Sequence, residues 1–234
     1  MPLRIVYSIF YKKYNNKNMT VKLILASSSQ HRIDIIKRMG YEIDSTYSPD
    51  IDETQQKKEL PKNLAIRLSI EKCEKANREI ANERKVNKII ISADTVCAMG
   101  RTSLPKAMTK DEARLCINKL SGRRHRIYTG VTGICNDHRI TKVSMSIIKF
   151  KLMTQEEISF FLESKNWYGK AGGYGLQGIA SRFIQWISGS DSNIIGLPCY
   201  ETSRIIEALQ AGSRIDDTVS PQSPPSPPPS SLSA

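Results

Sequence analysis

K-I-I-I-S-A-D-T-V-C-A, residues 88–98, is the stretch on which the fold turns. Its apolar character is nearly continuous rather than alternating, the pattern of a strand covered on both faces. A strand of that kind lies inside a sheet with helices on either side, so the chain reads as α/β. Asp94 falls near the end of this expected strand. A carboxylate there is costly to bury unless something pairs with it. A metal ion or a lysine would do so, and the same group can orient an attacking water. An aspartate bonding a neighbouring turn is the plain alternative.

Outward from this strand the pattern alternates. Residues 21–26 read as a buried strand, and Ser27, Ser28 and Ser29 as the turn that opens a helix to about Met39, stopped by Gly40. Residues 41–48 alternate as a strand. Pro61 starts a long helix to about Arg84, with Leu64, Ile66, Leu68, Cys73 and Ala76 near its inner side. Thr109, Asp111 and Glu112 open a helix that ends at Gly122. Residues 125–135 and 139–151 read as a hairpin around Asn136, Asp137 and His138. Thr154 and Glu157 form a capping box for a helix to about Lys165. A glycine-rich stretch, a strand at 182–187 and a helix from Pro198 to Gly212 complete the body. Because hairpins interrupt the βαβ alternation, the expected sheet is mixed.

The ends differ in composition. Residues 1–18 are basic and aromatic, and Met19 is the expected first residue of the folded unit. The last residues, P-Q-S-P-P-S-P-P-P-S-S-L-S-A, cannot bury a core and predict a disordered appendage over 213–234. The expected single domain is therefore 19–212. The net charge of +12 includes +4 from residues 1–18 and −1 from 213–234, leaving +9 on the domain. Such a surplus suits a nucleotide, a phosphate or a nucleic acid. The five cysteines are scattered without C-x-x-C, which favours reduced thiols in a cytoplasmic setting. With only three histidines, any metal would be a hard cation held by carboxylates and phosphate oxygens. No run approaches the ~18 apolar residues that span a bilayer, and no secretory signal is evident at the start.

Several motifs carry chemistry. L-A-S-S-S-Q-H-R, residues 25–32, joins a strand to a helix through a serine-rich turn, a usable phosphate cradle to which Arg32 adds a charged fork. A serine-capped helix with a surface arginine is the plainer reading of the spacing alone, and the stretch lacks the glycines of a Walker A loop. Asp52 and Glu53 are adjacent carboxylates in a loop, either site or solvated surface. K-A-G-G-Y-G-L-Q-G, residues 170–178, allows close backbone approach to a ligand, with Gln177 offering an amide edge for a base. A flexible turn is the alternative. The cations of L-S-G-R-R-H-R-I-Y-T-G, residues 120–130, are substrate ligands or ordinary surface charge.

Taken in order, LASSS-x-x-R, IDE, R-L-S-x-x-K, SADTV, LSGRRHRIYTG, KAGGYGLQG and GSDSNIIGLP resemble the Maf family of nucleotide pyrophosphatases across roughly residues 23–209. The resemblance implies a twisted mixed sheet with flanking helices, in two lobes around a cleft, related to inosine triphosphate pyrophosphatase. It implies hydrolysis of a nucleoside triphosphate to the monophosphate and diphosphate, a divalent cation (Mg²⁺ or Mn²⁺) and a homodimer. By the same resemblance Asp94 is the catalytic carboxylate, and Glu53 with Asp94 the metal side. Ser27, Arg32, Lys72 and Lys106 contact substrate, while His31, Thr95 and Gln177 select it.

Two departures stand out. The usual Gly-Lys-Pro turn reads Leu104-Pro105-Lys106-Ala107, so the lysine remains and the proline has moved. The usual Ser-Pro-Arg-Arg reads Ser29-Gln30-His31-Arg32, placing a histidine where the family has its first arginine. Thr95 and Gln177 match the branch that favours dTTP and UTP, and His31 leaves that preference open. Two other classes compete. One is a weakly catalytic regulator of cell division, a process with which the family is associated. The other is a basic nucleic-acid-binding protein, for which the sequence arranges no aromatic stacking platform.

Overall fold

A computed structural model describes residues 21–80 and 88–216, the side chains of 213–216 excepted. The expectations for residues 1–18, for the tail beyond 216 and for a helix reaching Arg84 fall outside the described residues. Seven strands form one mixed sheet: β1 (Lys22–Leu25), β2 (Ser45–Thr46), β3 (Lys88–Met99), β4 (Thr102–Leu104), β5 (Arg124–Cys135), β6 (His138–Phe150) and β7 (Ile184–Ser188). Their order is β2-β1-β3-β5-β6-β7, with β4 folded back on the end of β3. β1 is parallel to β2 and β3, and the remaining pairs are antiparallel. Among the described residues six α-helices flank the sheet: α1 (Gln30–Arg38), α2 (Pro61–Ile80), α3 (Lys110–Leu120), α4 (Gln155–Glu163), α5 (Asp191–Ile195) and α6 (Cys199–Asp216).

The mixed α/β architecture is as the sequence implies, and so is the capping box of Thr154 and Glu157, while Thr109 and Glu112 form a second one. Thr109 accepts from the Glu112 N–H and Thr154 from the Glu157 N–H, each glutamate reaching back in return. The hairpin turns at Asn136, which takes the left-handed conformation its type tolerates (φ 51°).

The long strands β3, β5 and β6 run through two lobes. In one, α1 and α6 pack on β1 and β3 through Leu25, Ile36, Ile91, Val131 and Ile206. In the other, α3 and α4 pack on the far halves of β5 and β6 through Leu120, Ile148, Phe150, Phe161 and Phe183.

Helix α2 covers the opposite face of β3 with Leu64, Ala65, Leu68, Ser69, Lys72, Cys73 and Ala76. Ile66, expected on this inner side, is only half-buried. It lies two residues from Leu64, hence about 200° around a helix that turns 100° per residue. Lys72 is the one charged group in the buried stripe.

Four expectations need correction. Residues 41–48 contribute only the two-residue β2. Tyr41 and Ile43 owe their alternation to packing on the core beside β1, not to strand pairing. Asp94 is not near a strand end, since β3 continues to Met99 with unbroken pairing to β5. The strand expected at 182–187 begins at Ile184, because residues Ile179–Phe183 form a 3₁₀ turn that buries Phe183. The last helix passes Gly212 and continues to Asp216. Gly212 keeps a negative φ there, and a glycine without the left-handed conformation weakens a helix but does not stop it.

Candidate active site

Strand β1 pairs with β3 only as far as Leu25 and Ile91. The next residue still bonds, Ala26 N–H to the Ile91 carbonyl at 2.7 Å, and then the chain turns away towards α1. Beyond that divergence β3 has an open edge at Asp94 and Thr95. A crevice at the carboxyl end of a parallel strand is where α/β sheets bind ligands. Here it is a cleft of about 540 Å³. Ser27, His31, Arg32, Glu53, Lys72, Asp94, Thr95, Lys106 and Gln177, the residues singled out from the sequence, all line it.

Side chains alternate across β3, so Asp94 and Thr95 serve opposite faces. Asp94 is 3% exposed and meets α2, where Lys72 Nζ donates to its Oδ1 at 2.5 Å. The same ammonium lies 2.6 Å from Glu53 Oε1, and Lys106 binds the other oxygen of Glu53. A chain Asp94–Lys72–Glu53–Lys106 thus links a strand, a helix and two loops. Partial burial works to raise the Glu53 carboxyl. Hydrogen bonds from Lys106 and Lys72 outweigh it and hold the group at about 2. Neither charge of the buried Lys72–Asp94 pair would be tolerable there alone.

On the other face, Thr95 Oγ1 shares a hydrogen bond with Thr129 Oγ1 at 3.0 Å and receives one from Arg32 Nη2 at 3.4 Å. Thr129 in turn bonds the Asn193 carbonyl of α5 at 2.9 Å. Arg32 also donates from Nε to the Gly196 carbonyl (2.9 Å) and from Nη1 to Ser27 Oγ (3.2 Å). Burial lowers the pKa of this guanidinium, and attraction to Asp94 and Glu53 opposes the shift. The serine turn differs from expectation in one respect. Ser29 is the N-cap of α1 by position, yet its hydroxyl makes no capping bond. Ser27 Oγ instead accepts the Ser29 N–H at 3.2 Å. In the first turn of α1 the Arg32 N–H bonds the Ser29 carbonyl at 3.1 Å, which leaves the Gln30 and His31 N–H groups at the helix start for a ligand.

The Lys106 turn is laced to the glycine-rich segment. Gly172 N–H bonds the Pro105 carbonyl at 2.9 Å, and Lys106 pairs with Ala171 across an isolated bridge. Two of the glycines, Gly172 and Gly178, are required by protein packing, and Gly175 and Gly178 also line the cleft. Gly172 has φ 69°, and a Cβ there would lie 2.5 Å from Cys97 Sγ. A Cβ on Gly178 would run into the Asn166 amide. Gln177 and His31 are exposed at the cleft, free to meet a ligand.

Lys170 was missed as a site residue. It lines the cleft with its pKa lowered by burial, and no carboxylate pairs with it among the described residues. Its lead position in K-A-G-G-Y-G-L-Q-G was the available signal. Below it, the buried His125 shares a 2.6 Å hydrogen bond from Nε2 with the Tyr174 hydroxyl. Burial pushes that imidazole down to about 4, so it is a neutral core group. Arg123, Arg124 and Arg126, the other cations of that motif, do not line the cleft. Four cations and two carboxylates do, a positive surplus suited to a polyphosphate.

A nucleoside triphosphate pyrophosphatase of Rickettsia africae is 45% identical over 201 residues, covering 84% of this chain and 91% of the relative. A dTTP/UTP pyrophosphatase of Mesorhizobium japonicum is 43% identical over 187 residues, 79% of this chain and 90% of its own. Among solved structures, a HAM1 protein from Coxiella burnetii aligns over 86% of this chain and all of its own, at 14% identity and a TM-score of 0.46. Residues 22–209 match the family described as Maf-like protein, and the chain belongs to that family.

Proposed function

We propose that this protein is a nucleoside triphosphate pyrophosphatase that cleaves dTTP and UTP to the monophosphate and diphosphate. The observation that carries the reading is a buried carboxylate, Asp94, held by Lys72 at the open edge of β3 and facing a cation-lined cleft. Asp94 orients a water for attack at the α-phosphorus and accepts its proton. A new P–O bond forms to the water oxygen while the bond to the bridging oxygen of the β-phosphate breaks. Arg32, Lys106 and Lys170 draw the triphosphate into line and balance its charge. Gln177 and His31 stand where a base can be read.

The donor set fits a hard divalent cation. Asp94 Oδ1 and Glu53 Oε1 both reach Lys72 Nζ, so the two oxygens converge on one point. Among the described residues no group of three His, Cys, Asp or Glu could hold a metal. Two carboxylates completed by substrate phosphates and water is a common way to hold Mg²⁺. Asp94 and Glu53 would therefore hold Mg²⁺ or Mn²⁺, which when bound supplies charge neutralisation at the phosphates.

No described helix is long and apolar enough to cross a membrane. A cytoplasmic homodimer belongs to the same proposal, and light scattering tests the dimer. The reaction is tested by separating products of dTTP, UTP, CTP and GTP with Mg²⁺ and with chelator. Stoichiometric diphosphate and monophosphate that vanish with chelator are expected. Orthophosphate as the only phosphate product overturns the assignment.

A further inference from the structure

Away from the cleft, the strand register gathers basic and aromatic side chains on one open sheet face. Arg124 stands opposite Lys149, and Lys149 opposite Trp186, a row across β5, β6 and β7. Arg126 and Tyr128 follow at two-residue steps on β5, hence on the same face, with Met145 opposite Tyr128. Farther along, α2 covers this face, where Ser69 meets Thr132 at 2.9 Å. Towards Arg124 the face is uncovered. Trp186 and Met145 are each 45% exposed, and Arg124 and Arg126 are exposed too. The Arg124 guanidinium lies over the Trp186 ring, 5.4 Å from its centroid. Among the described residues no carboxylate forms an ion pair with Arg124, Arg126 or Lys149.

We propose that this face binds single-stranded nucleic acid, separately from nucleotide hydrolysis in the cleft, whose lining includes none of these six residues. Three cations at strand spacing offer a track for successive phosphates. The half-open indole beside them offers a stacking surface, and only an unpaired base presents its face to one. Arg124 already stacked on Trp186 lowers the ordering cost of the contact. A second copy of the chain is a poor occupant, because the rows described carry no acid to meet the same cations. The sequence conceals the arrangement, since Arg124, Lys149 and Trp186 are brought side by side only by the sheet.

The test uses the full chain and fluorescein-labelled single strands, an RNA of uridines and a DNA of thymidines, beside a duplex of equal length. Anisotropy should show both single strands bound more tightly than the duplex. Log affinity should fall against log salt with a slope of about −2, at ~0.7 per neutralised phosphate. The pair Arg124→Glu with Arg126→Glu should lower affinity at least tenfold. Trp186→Ala should lower it roughly 5- to 100-fold, with Trp186→Phe retaining most of it. The other tryptophan, Trp167, is buried, so quenching of tryptophan emission by the oligonucleotide should disappear with Trp186. Triphosphate turnover and melting temperature serve as the controls for folding and should not move. Unchanged affinity in the double-arginine variant overturns the proposal and shifts binding to another basic surface. Equal binding of duplex, or binding only to vesicles rich in anionic lipid, overturns it as well.

Discussion

Lys72 Nζ lies 2.5 Å from Asp94 Oδ1, a contact between the buried stripe of α2 and the seventh residue of β3. One ammonium holds two carboxylates, since Glu53 Oε1 is 2.6 Å away on its other side. The arrangement holds Asp94 in a buried contact with Lys72, and it makes Lys72 a structural as well as a chemical residue.

Asp94→Asn should lower diphosphate release by about 10²-fold or more, the typical contribution of a general base. The amide oxygen can still accept from Lys72, and Lys72 keeps Glu53, so the fold should survive. Steady-state turnover and a thermal melt check both halves. A variant of equal activity would move the chemistry to another group.

Lys72→Met should destabilise the protein more than Asp94→Asn does. Removing the lysine leaves a carboxylate that is 3% exposed without its ion-pair partner, and breaking such a buried pair costs about 3–5 kcal/mol. Urea denaturation measures the difference. A loss below 1 kcal/mol would mean that water or another cation replaces the lysine.

Glu53 gives an acid limit. Its carboxyl is held at about 2 in the folded protein against a usual 4.5, so the folded state favours the ionised form. The stability this supplies is complete above pH 4.5 and is lost as pH falls towards 2. Denaturation midpoints measured across that window should fall less steeply for Glu53→Gln than for the parent. Identical slopes would remove Glu53 from the acid response.

His31→Arg should change KM or the order of preference among dTTP, UTP, CTP and GTP, leaving dependence on Asp94 in place. The residue sits exposed in the first turn of α1 at the cleft, where arginine adds a permanent charge and a donor fork. Superimposable kinetics for the two proteins across all four nucleotides would leave His31 without a role in selection.

A chain trimmed to residues 19–216 should keep its melting temperature and its turnover, whereas one ending at Gly212 should lose some stability. Helix α6 runs to Asp216, so the shorter end cuts its last turn. Equal melting of both would place the helix end outside the cooperative unit.

Sequence alone determined the parts of this protein that local physics fixes. Near-continuous apolar residues made β3 an inner strand, threonine and glutamate three apart set the starts of α3 and α4, and Asn136 marked the hairpin. The ordered motifs singled out residues that all line the cleft, because side-chain chemistry is legible one residue at a time. Tertiary structure decided what depends on distance through space. Asp94 reaches the cleft because β1 diverges after Ala26, not because β3 ends. Lys106 finds Glu53 because the glycine-rich segment anchors its turn. Arg32 is aimed by a carbonyl 164 residues away, at Gly196. Such contacts have no period and no spacing rule, for they arise only when separately stable elements pack and their side chains meet in one low-dielectric cleft.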